Sequence, residues 1–224
     1  KQKYGDERRT EILGAIKDFK LEDLIAEEDV VITISHTGYI KRLPVSAYRK
    51  QRRGGVGVTA METKEEDFVE HLFVASTHET LLFFTNQGRC YWLKVHEVPQ
   101  ASRYARGTAI VNLLSLQKDE RYATFVAVKE FKPDAFLVMA TRQGTIKKTP
   151  LDAYSNPRKA GIIAITLEPQ DELIEAEVTD GERELLLITA QGKAIRFSEA
   201  QARGVGRASR GVRGIRLGKG DGVI

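Results

Sequence analysis

The sequence predicts an all-β chain, built as a propeller-like array of four-stranded blades with about four blades visible in its 224 residues. Three observations predict it. Runs of β-formers recur with a turn glycine behind each, at 38, 88, 144 and 192, so the period is 50, 56 and 48 residues. A second glycine follows a basic loop in every unit: Arg53-Gly54-Gly55, Arg106-Gly107, Lys159-Ala160-Gly161 and Arg210-Gly211. The apolar runs are nearly continuous rather than alternating, as expected for strands covered on both faces by neighbouring blades.

Residues 1–29 are charged throughout and read as a lead-in, with Ile12, Leu13, Ile16, Phe19 and Leu24 loosely spaced for a short helix or strand. The repeats follow near 30–80, 81–135, 136–184 and 185–224, the last one incomplete. Each opens on a β-run: Val30-Val31-Ile32-Thr33-Ile34, then Leu81-Leu82-Phe83-Phe84-Thr85, Phe136 to Thr141, and Leu185 to Thr189. A glycine between two β-runs reads as a hairpin turn that needs a positive φ. A hydroxyl stands three residues before each turn glycine, at Ser35, Thr85, Thr141 and Thr189. After each second glycine comes an apolar stretch: Val56 to Val58, Ile110 to Leu114, Ile162 to Leu167, and Val212 to Leu217. A further β-run closes the first three units at Leu72-Phe73-Val74, Phe125-Val126 and Leu173-Ile174.

Bulk composition excludes several classes. The hydrophobic content of 42% supports a sizeable core, and the single Cys90 rules out an internal disulfide framework and fits a reducing, cytoplasmic setting. No apolar run approaches the roughly 18 residues of a membrane helix. The chain begins at Lys1 in a charged stretch, without methionine or a signal-like segment, and is expected to be part of a longer protein.

The net charge of +4 hides a segregation of sign. Residues 39–58 carry Lys41, Arg42, Arg49, Lys50, Arg52 and Arg53 and no acid. Residues 88–107 carry Arg89, Lys94, Arg103 and Arg106 against Glu97. Residues 144–161 carry Lys147, Lys148, Arg158 and Lys159 against Asp152. Residues 192–214 carry Lys193, Arg196, Arg203, Arg207, Arg210 and Arg213 against Glu199. Acids dominate between these windows, with six in 59–87 and eight in 162–191. Stacked repeats would align the basic windows into one positive rim. Such a rim suits duplex DNA, because arginine forks match phosphate oxygens and phosphate contacts position a duplex without reading its sequence. Charged hairpins that merely keep a propeller soluble would intersperse the signs instead.

The densest window, Gln51-Arg52-Arg53-Gly54-Gly55-Val56-Gly57, resembles the glycine- and arginine-rich box of the DNA gyrase A C-terminal domain, of the type IIA topoisomerase family. Its flanks are similar too: Asp23-Leu24-Ile25-Ala26, and Ile34-Ser35-His36-Thr37-Gly38-Tyr39-Ile40-Lys41-Arg42. Lys3 to Thr10 resembles the segment leaving the catalytic portion of the gyrase A polypeptide. The resemblance covers essentially the whole chain. It implies a β-pinwheel, whose blades exchange strands, and a basic rim that wraps DNA for ATP-dependent negative supercoiling. It implies double-stranded DNA, the rest of the gyrase A polypeptide and the gyrase B polypeptide as partners, with the isolated domain a monomer. The catalytic tyrosine, ATP and Mg would act elsewhere in the holoenzyme, so no cofactor is expected in this chain. Two departures stand out. Val56 occupies a box position that usually carries a basic residue, and about four blades are visible where the family usually has six. Within the family, the alternative is the topoisomerase IV counterpart, whose boxes are degenerate and which wraps less.

Catalytic signatures are not found. His36, His71, His78 and His96 are scattered, without zinc-ligand spacing. Gly214 to Lys219 has three residues between its glycines where a phosphate loop needs four. The pairs Glu65-Glu66 and Asp171-Glu172 are expected to be solvated loop acids, and Cys90 and Trp92 to be core strand residues. A propeller scaffold for protein partners is the alternative of another class; it would not need repeated basic loops.

Overall fold

The computed structural model of the chain describes residues 24–48, 61 and 67–224. Most of the expected lead-in lies outside the described residues, as do Arg49, Lys50, Gln51, Arg52, Arg53, Gly54, Gly55, Val56 and Gly57. Apart from short 3-10 turns, the described residues form strands and loops.

The first unit supplies β1 (Asp29–Ser35), β2 (Tyr39–Pro44) and β3 (Val69–Ser76). The second supplies β4 (Thr80–Thr85), β5 (Arg89–Lys94), β6 (Thr108–Ala109) and β7 (Tyr122–Val128). The third supplies β8 (Phe136–Thr141), β9 (Thr145–Pro150), β10 (Ile162–Ile163) and β11 (Leu173–Thr179). The last supplies β12 (Glu184–Ile188), β13 (Ala194–Ser198) and β14 (Val212–Arg213). Three sheets have four strands each, in the orders β3-β1-β2-β6, β10-β5-β4-β7 and β11-β8-β9-β14, and β12 and β13 form a fourth, two-stranded sheet.

Every four-stranded sheet therefore borrows one strand. β6, β10 and β14 belong to the following unit in sequence but pair with β2, β5 and β9 of the preceding one. Among the described residues, the apolar stretches behind the second glycines supply only two residues of strand each, and Ile110 to Asn112 then turns as a 3-10 helix. Their remaining apolar side chains fill the space between blades. Ile110 and Leu114 join the cluster of Ile32, Ile34, Leu81 and Phe83. Ala164 and Ile165 join Leu82, Phe84, Leu137 and Met139, and Ile215 joins Val138, Ile146 and Leu187.

The core is thus a series of seams between sheets. On β4, Leu81 and Phe83 face one neighbour while Leu82 and Phe84 face the other, and all four are fully buried. That is why the strand reads as an unbroken apolar run. Burial of each such side chain is worth about 1.5–3 kcal/mol. Cys90 lies in the second seam, where burial pushes its thiol well above the ordinary value. Trp92 is half-buried there and donates its indole N–H to the Tyr154 carbonyl at 2.8 Å. On the outer faces of the first and last sheets, Leu72, Val74, Leu186 and Ile188 remain exposed.

The recurring hydroxyl closes the hairpin turn. The amide of the residue after each turn glycine donates to it: Tyr39 to Ser35 at 3.2 Å, Arg89 to Thr85 at 3.2 Å, Thr145 to Thr141 at 3.1 Å and Lys193 to Thr189 at 3.1 Å. A carboxylate about 30 residues downstream supports the same turn. Asp67 accepts from the Thr37 amide at 2.9 Å and hydroxyl at 2.7 Å, Asp171 from the Gln143 amide at 2.9 Å, and Asp221 from the Gln191 amide at 3.0 Å. The expectation that Asp171 is a solvated loop acid is therefore wrong, because it is buried and ties two parts of its unit together.

Asp67 makes the fold acid-sensitive. Burial raises the Asp67 pKa, but hydrogen bonds from Thr37, Ser35 and the Phe68 amide outweigh it and hold the group below its ordinary 3.8. A carboxylate depressed in the folded state stabilises it above the unfolded pKa, and that contribution is lost as pH falls through the folded value. Asp67→Asn should therefore unfold in less urea than the parent near neutrality, and the gap should close at acid pH, as pH falls below the ordinary carboxylate value of 3.8. An equal gap at both pH values would rule out the ionised carboxylate as the stabilising species.

Candidate nucleic-acid interface

Neighbouring sheets approach one another along β3, β7 and β11. Phe73 and Phe125 stack there with centroids 5.1 Å apart, and the Thr124 hydroxyl donates to Glu175 at 2.6 Å. The opposite edge of each four-stranded sheet carries the borrowed strand and forms the perimeter. Acids of the segments 59–87 and 162–191, among them Glu70, Glu175 and Glu177, lie on the inner strands. The basic loops precede the borrowed strands and so lie at the perimeter.

Successive perimeter segments touch. Arg207 donates to the Ile163 carbonyl at 2.9 Å, the Thr166 amide to the Ser209 carbonyl at 3.2 Å, and the Thr166 hydroxyl to the Ala208 carbonyl at 2.7 Å. The third and fourth units thus present a joined surface. On the first junction Arg103 stacks over Tyr104 with its guanidinium carbon 4.6 Å from the ring centroid, and Arg106 stacks over Tyr39 at 3.6 Å. Stacking of this kind fixes a guanidinium while leaving its N–H edge able to donate.

The basic residues expected on one rim divide into three groups. Arg158, Lys159, Lys193, Arg196, Arg203, Arg210 and Arg213 are exposed, and Arg103, Arg106 and Arg207 are half-buried on the loops. Two of the exposed arginines have acidic partners: Arg196 with Glu184 at 3.2 Å and Arg210 with Glu168 at 2.7 Å. Such solvated pairs are worth about 0–1 kcal/mol, so a phosphate can displace the acid. Arg42 and Lys94 are half-buried on their strands, and Arg42 donates to the Val98 carbonyl at 2.6 Å.

The third group does not face outward, which corrects the expectation for these residues. Lys41 is fully buried, and its ammonium donates to the carbonyls of Ser102, Arg103 and Ala105 at 3.1, 2.6 and 2.8 Å. Lys147 is buried and donates to the carbonyls of Ala164 and Arg207. Burial, with Arg207 nearby, pulls its pKa from 10.5 down to about 7. Lys148 is buried against Glu199, donating to its carbonyl at 3.0 Å with its carboxylate 3.9 Å away. Arg89 is mostly covered: it sits 3.5 Å from the buried Glu120 and donates to the carbonyls of Ala160 and Gly161 at 2.5 and 3.3 Å. The physical reason is shared. These residues lie at covered positions of strands packed on both faces, so a cation there must find internal acceptors.

A family model described as DNA gyrase C-terminal domain, beta-propeller, matches residues 29–76, 79–127, 135–180 and 183–224. The chain belongs to the DNA gyrase C-terminal domain family. It is 52% identical over 217 residues to the DNA gyrase A protein of Haemophilus influenzae, covering 97% of this chain and 25% of that protein. It is 50% identical over 221 residues to the Escherichia coli gyrase A protein, covering 99% of this chain and 25% of that one. The chain thus spans about a quarter of the length of these relatives. Among solved structures, a DNA topoisomerase IV C-terminal domain superposes with a TM-score of 0.76 at 30% identity, over 89% of this chain and 60% of that one. A DNA gyrase A C-terminal domain superposes with a TM-score of 0.67 at 25% identity, over 88% and 64%.

Within this gyrase-family fold, sequence reasoning missed the recurring carboxylate Asp67, Glu120, Asp171 and Asp221. A signal existed, because these acids follow the turn hydroxyls by 32, 35, 30 and 32 residues. The burial of Lys41 and Lys147 also had a signal. Each directly follows an isoleucine inside a strand that has covered neighbours on both sides.

Proposed function

We propose that this chain is the DNA-wrapping part of a gyrase A polypeptide. It bends duplex DNA around its perimeter and supports ATP-dependent negative supercoiling by the holoenzyme. Cutting and ATP chemistry belong, in this reading, to the rest of the gyrase A polypeptide and to its gyrase B partner. The chain works in the cytoplasm as a monomeric module without a cofactor. The observation that carries the reading is the division of charge across the fold. Exposed Arg158, Lys159, Arg203 and Arg210 lie on the perimeter loops, while Glu70, Glu175 and Glu177 lie on the inner strands. Arg52 and Arg53, outside the described residues, would extend the same path.

The topoisomerase IV reading has one observation in its favour, the higher TM-score of that domain. Identity of 50–52% over nearly the whole chain to gyrase A proteins weighs more than 30% to the topoisomerase IV domain.

Fluorescence transfer between the ends of a duplex tests the proposal. The chain should bring the ends closer, and with roughly 6–10 phosphates contacted, affinity should fall about 10³–10⁵-fold between 50 and 200 mM salt. Tight binding without bending would favour the less-wrapping topoisomerase IV type. A flat salt dependence would sink the perimeter as a DNA path.

A further inference from the structure

At each of the three described junctions, a cation from the second strand of one sheet is capped by carbonyls of the loop arriving from the next unit. Lys41 on β2 holds Ser102, Arg103 and Ala105. Arg89 on β5 holds Ala160 and Gly161. Lys147 on β9 holds Arg207. Arg103 and Arg207 occupy the same place in their loops, four residues ahead of Gly107 and Gly211. The carbonyl gripped from inside therefore belongs to a half-buried arginine of the perimeter loop, Arg103 or Arg207. Where the second sheet has Tyr91 at the position of Lys41 and Lys147, the grip passes to Arg89, two residues earlier, and Glu120 holds both side chains.

We propose that Lys41, Arg89 and Lys147 are positioning residues for DNA recognition, each fixing the perimeter loop from which neighbouring basic side chains meet phosphate, while making no DNA contact. This rests on the wrapping reading above. An ammonium suits the task because its three donors radiate from one point and can gather carbonyls that converge in a tight loop. A loop ordered in advance loses less conformational freedom on binding, and so binds more tightly.

The test compares Lys41→Met and Lys41→Arg in the 224-residue chain and in a background carrying Arg103→Ala and Arg106→Ala. Duplex affinity is titrated against salt, and amide hydrogen exchange is followed over 99–107. Lys41→Met should weaken binding about 10–100-fold near 0.1 M salt and flatten the salt slope by roughly 2, the share of two phosphate contacts. It should add almost nothing in the double-alanine background, and Lys41→Arg should restore most of the affinity. Unchanged affinity with faster exchange would reduce Lys41 to a structural clamp and overturn the proposal. A further full loss in the double-alanine background would make it a direct phosphate contact, which also overturns it. Should Lys41→Met leave too little folded protein, Arg89→Met against Arg158→Ala with Lys159→Ala gives the same comparison. If the unsubstituted chain shows no salt-dependent binding, the wrapping reading falls first, and exchange over 99–107 still reports whether Lys41 orders the loop.

Discussion

Gly107→Ala should destabilise the domain by about 2–4 kcal/mol, combining left-handed strain with a steric overlap. Gly107 has a φ of +85°, and a Cβ placed there would lie 2.5 Å from the carbonyl oxygen of Ile40 and 2.9 Å from its carbonyl carbon. Neither atom can retreat, because Ile40 pairs with Thr108 at the start of the borrowed strand. The strain therefore falls on the link between two sheets. Gly192 is the control. Its φ is +82°, but among the described residues nothing lies within 4 Å of an added Cβ. Gly192→Ala should cost only the conformational penalty, about 1 kcal/mol. Urea unfolding of both variants separates the two contributions. Equal losses would mean that the close approach of Gly107 to Ile40 relaxes without consequence.

Glu120→Ala should cost about 3–5 kcal/mol, the range for removing one partner of a buried charged network. The Glu120 side chain is fully buried and accepts from the Tyr91 hydroxyl at 2.6 Å, the Gln117 amide at 2.7 Å and the Thr85 hydroxyl at 3.3 Å, with Arg89 3.5 Å away. Truncation strands those donors and leaves Arg89 without its carboxylate. Glu120→Gln keeps the shape and an acceptor, so it should lose less. Combining Glu120→Ala with Arg89→Met should recover part of the loss, because the unpaired cation goes too. Additive losses in urea would mean that the two residues stabilise the junction independently. A loss under about 1 kcal/mol for Glu120→Ala would mean that water replaces the carboxylate, against the burial of this site.

The repeat, the hairpin positions and the all-β class were legible because backbone geometry leaves local traces. A glycine is needed at a positive φ, a hydroxyl three residues before it closes the turn, and an apolar run marks a strand covered on both faces. The borrowed strands were less legible. Thr108-Ala109 and Ile162-Ile163 are too short to differ from a loop by periodicity, and their partners lie in the preceding unit. The recurring carboxylate went unread because a lone acid before a strand looks like a solvated loop residue until its amide partners, about 30 residues away, are in place.

By itself the sequence determined the blade repeat and the segregation of charge, which follow from residue types at fixed spacings, and it carried the resemblance that the family match bears out. Only the tertiary structure decided which cations reach the surface. Lys41 and Lys159 look alike in a basic window, yet one is buried beneath three loop carbonyls and the other is exposed. That difference depends on strand exchange, which lays the next unit's loop over the preceding unit's strand. Sequence spacing reports what a residue is near along the chain. Whether a charge meets water, a carbonyl or a phosphate depends on what folds over it.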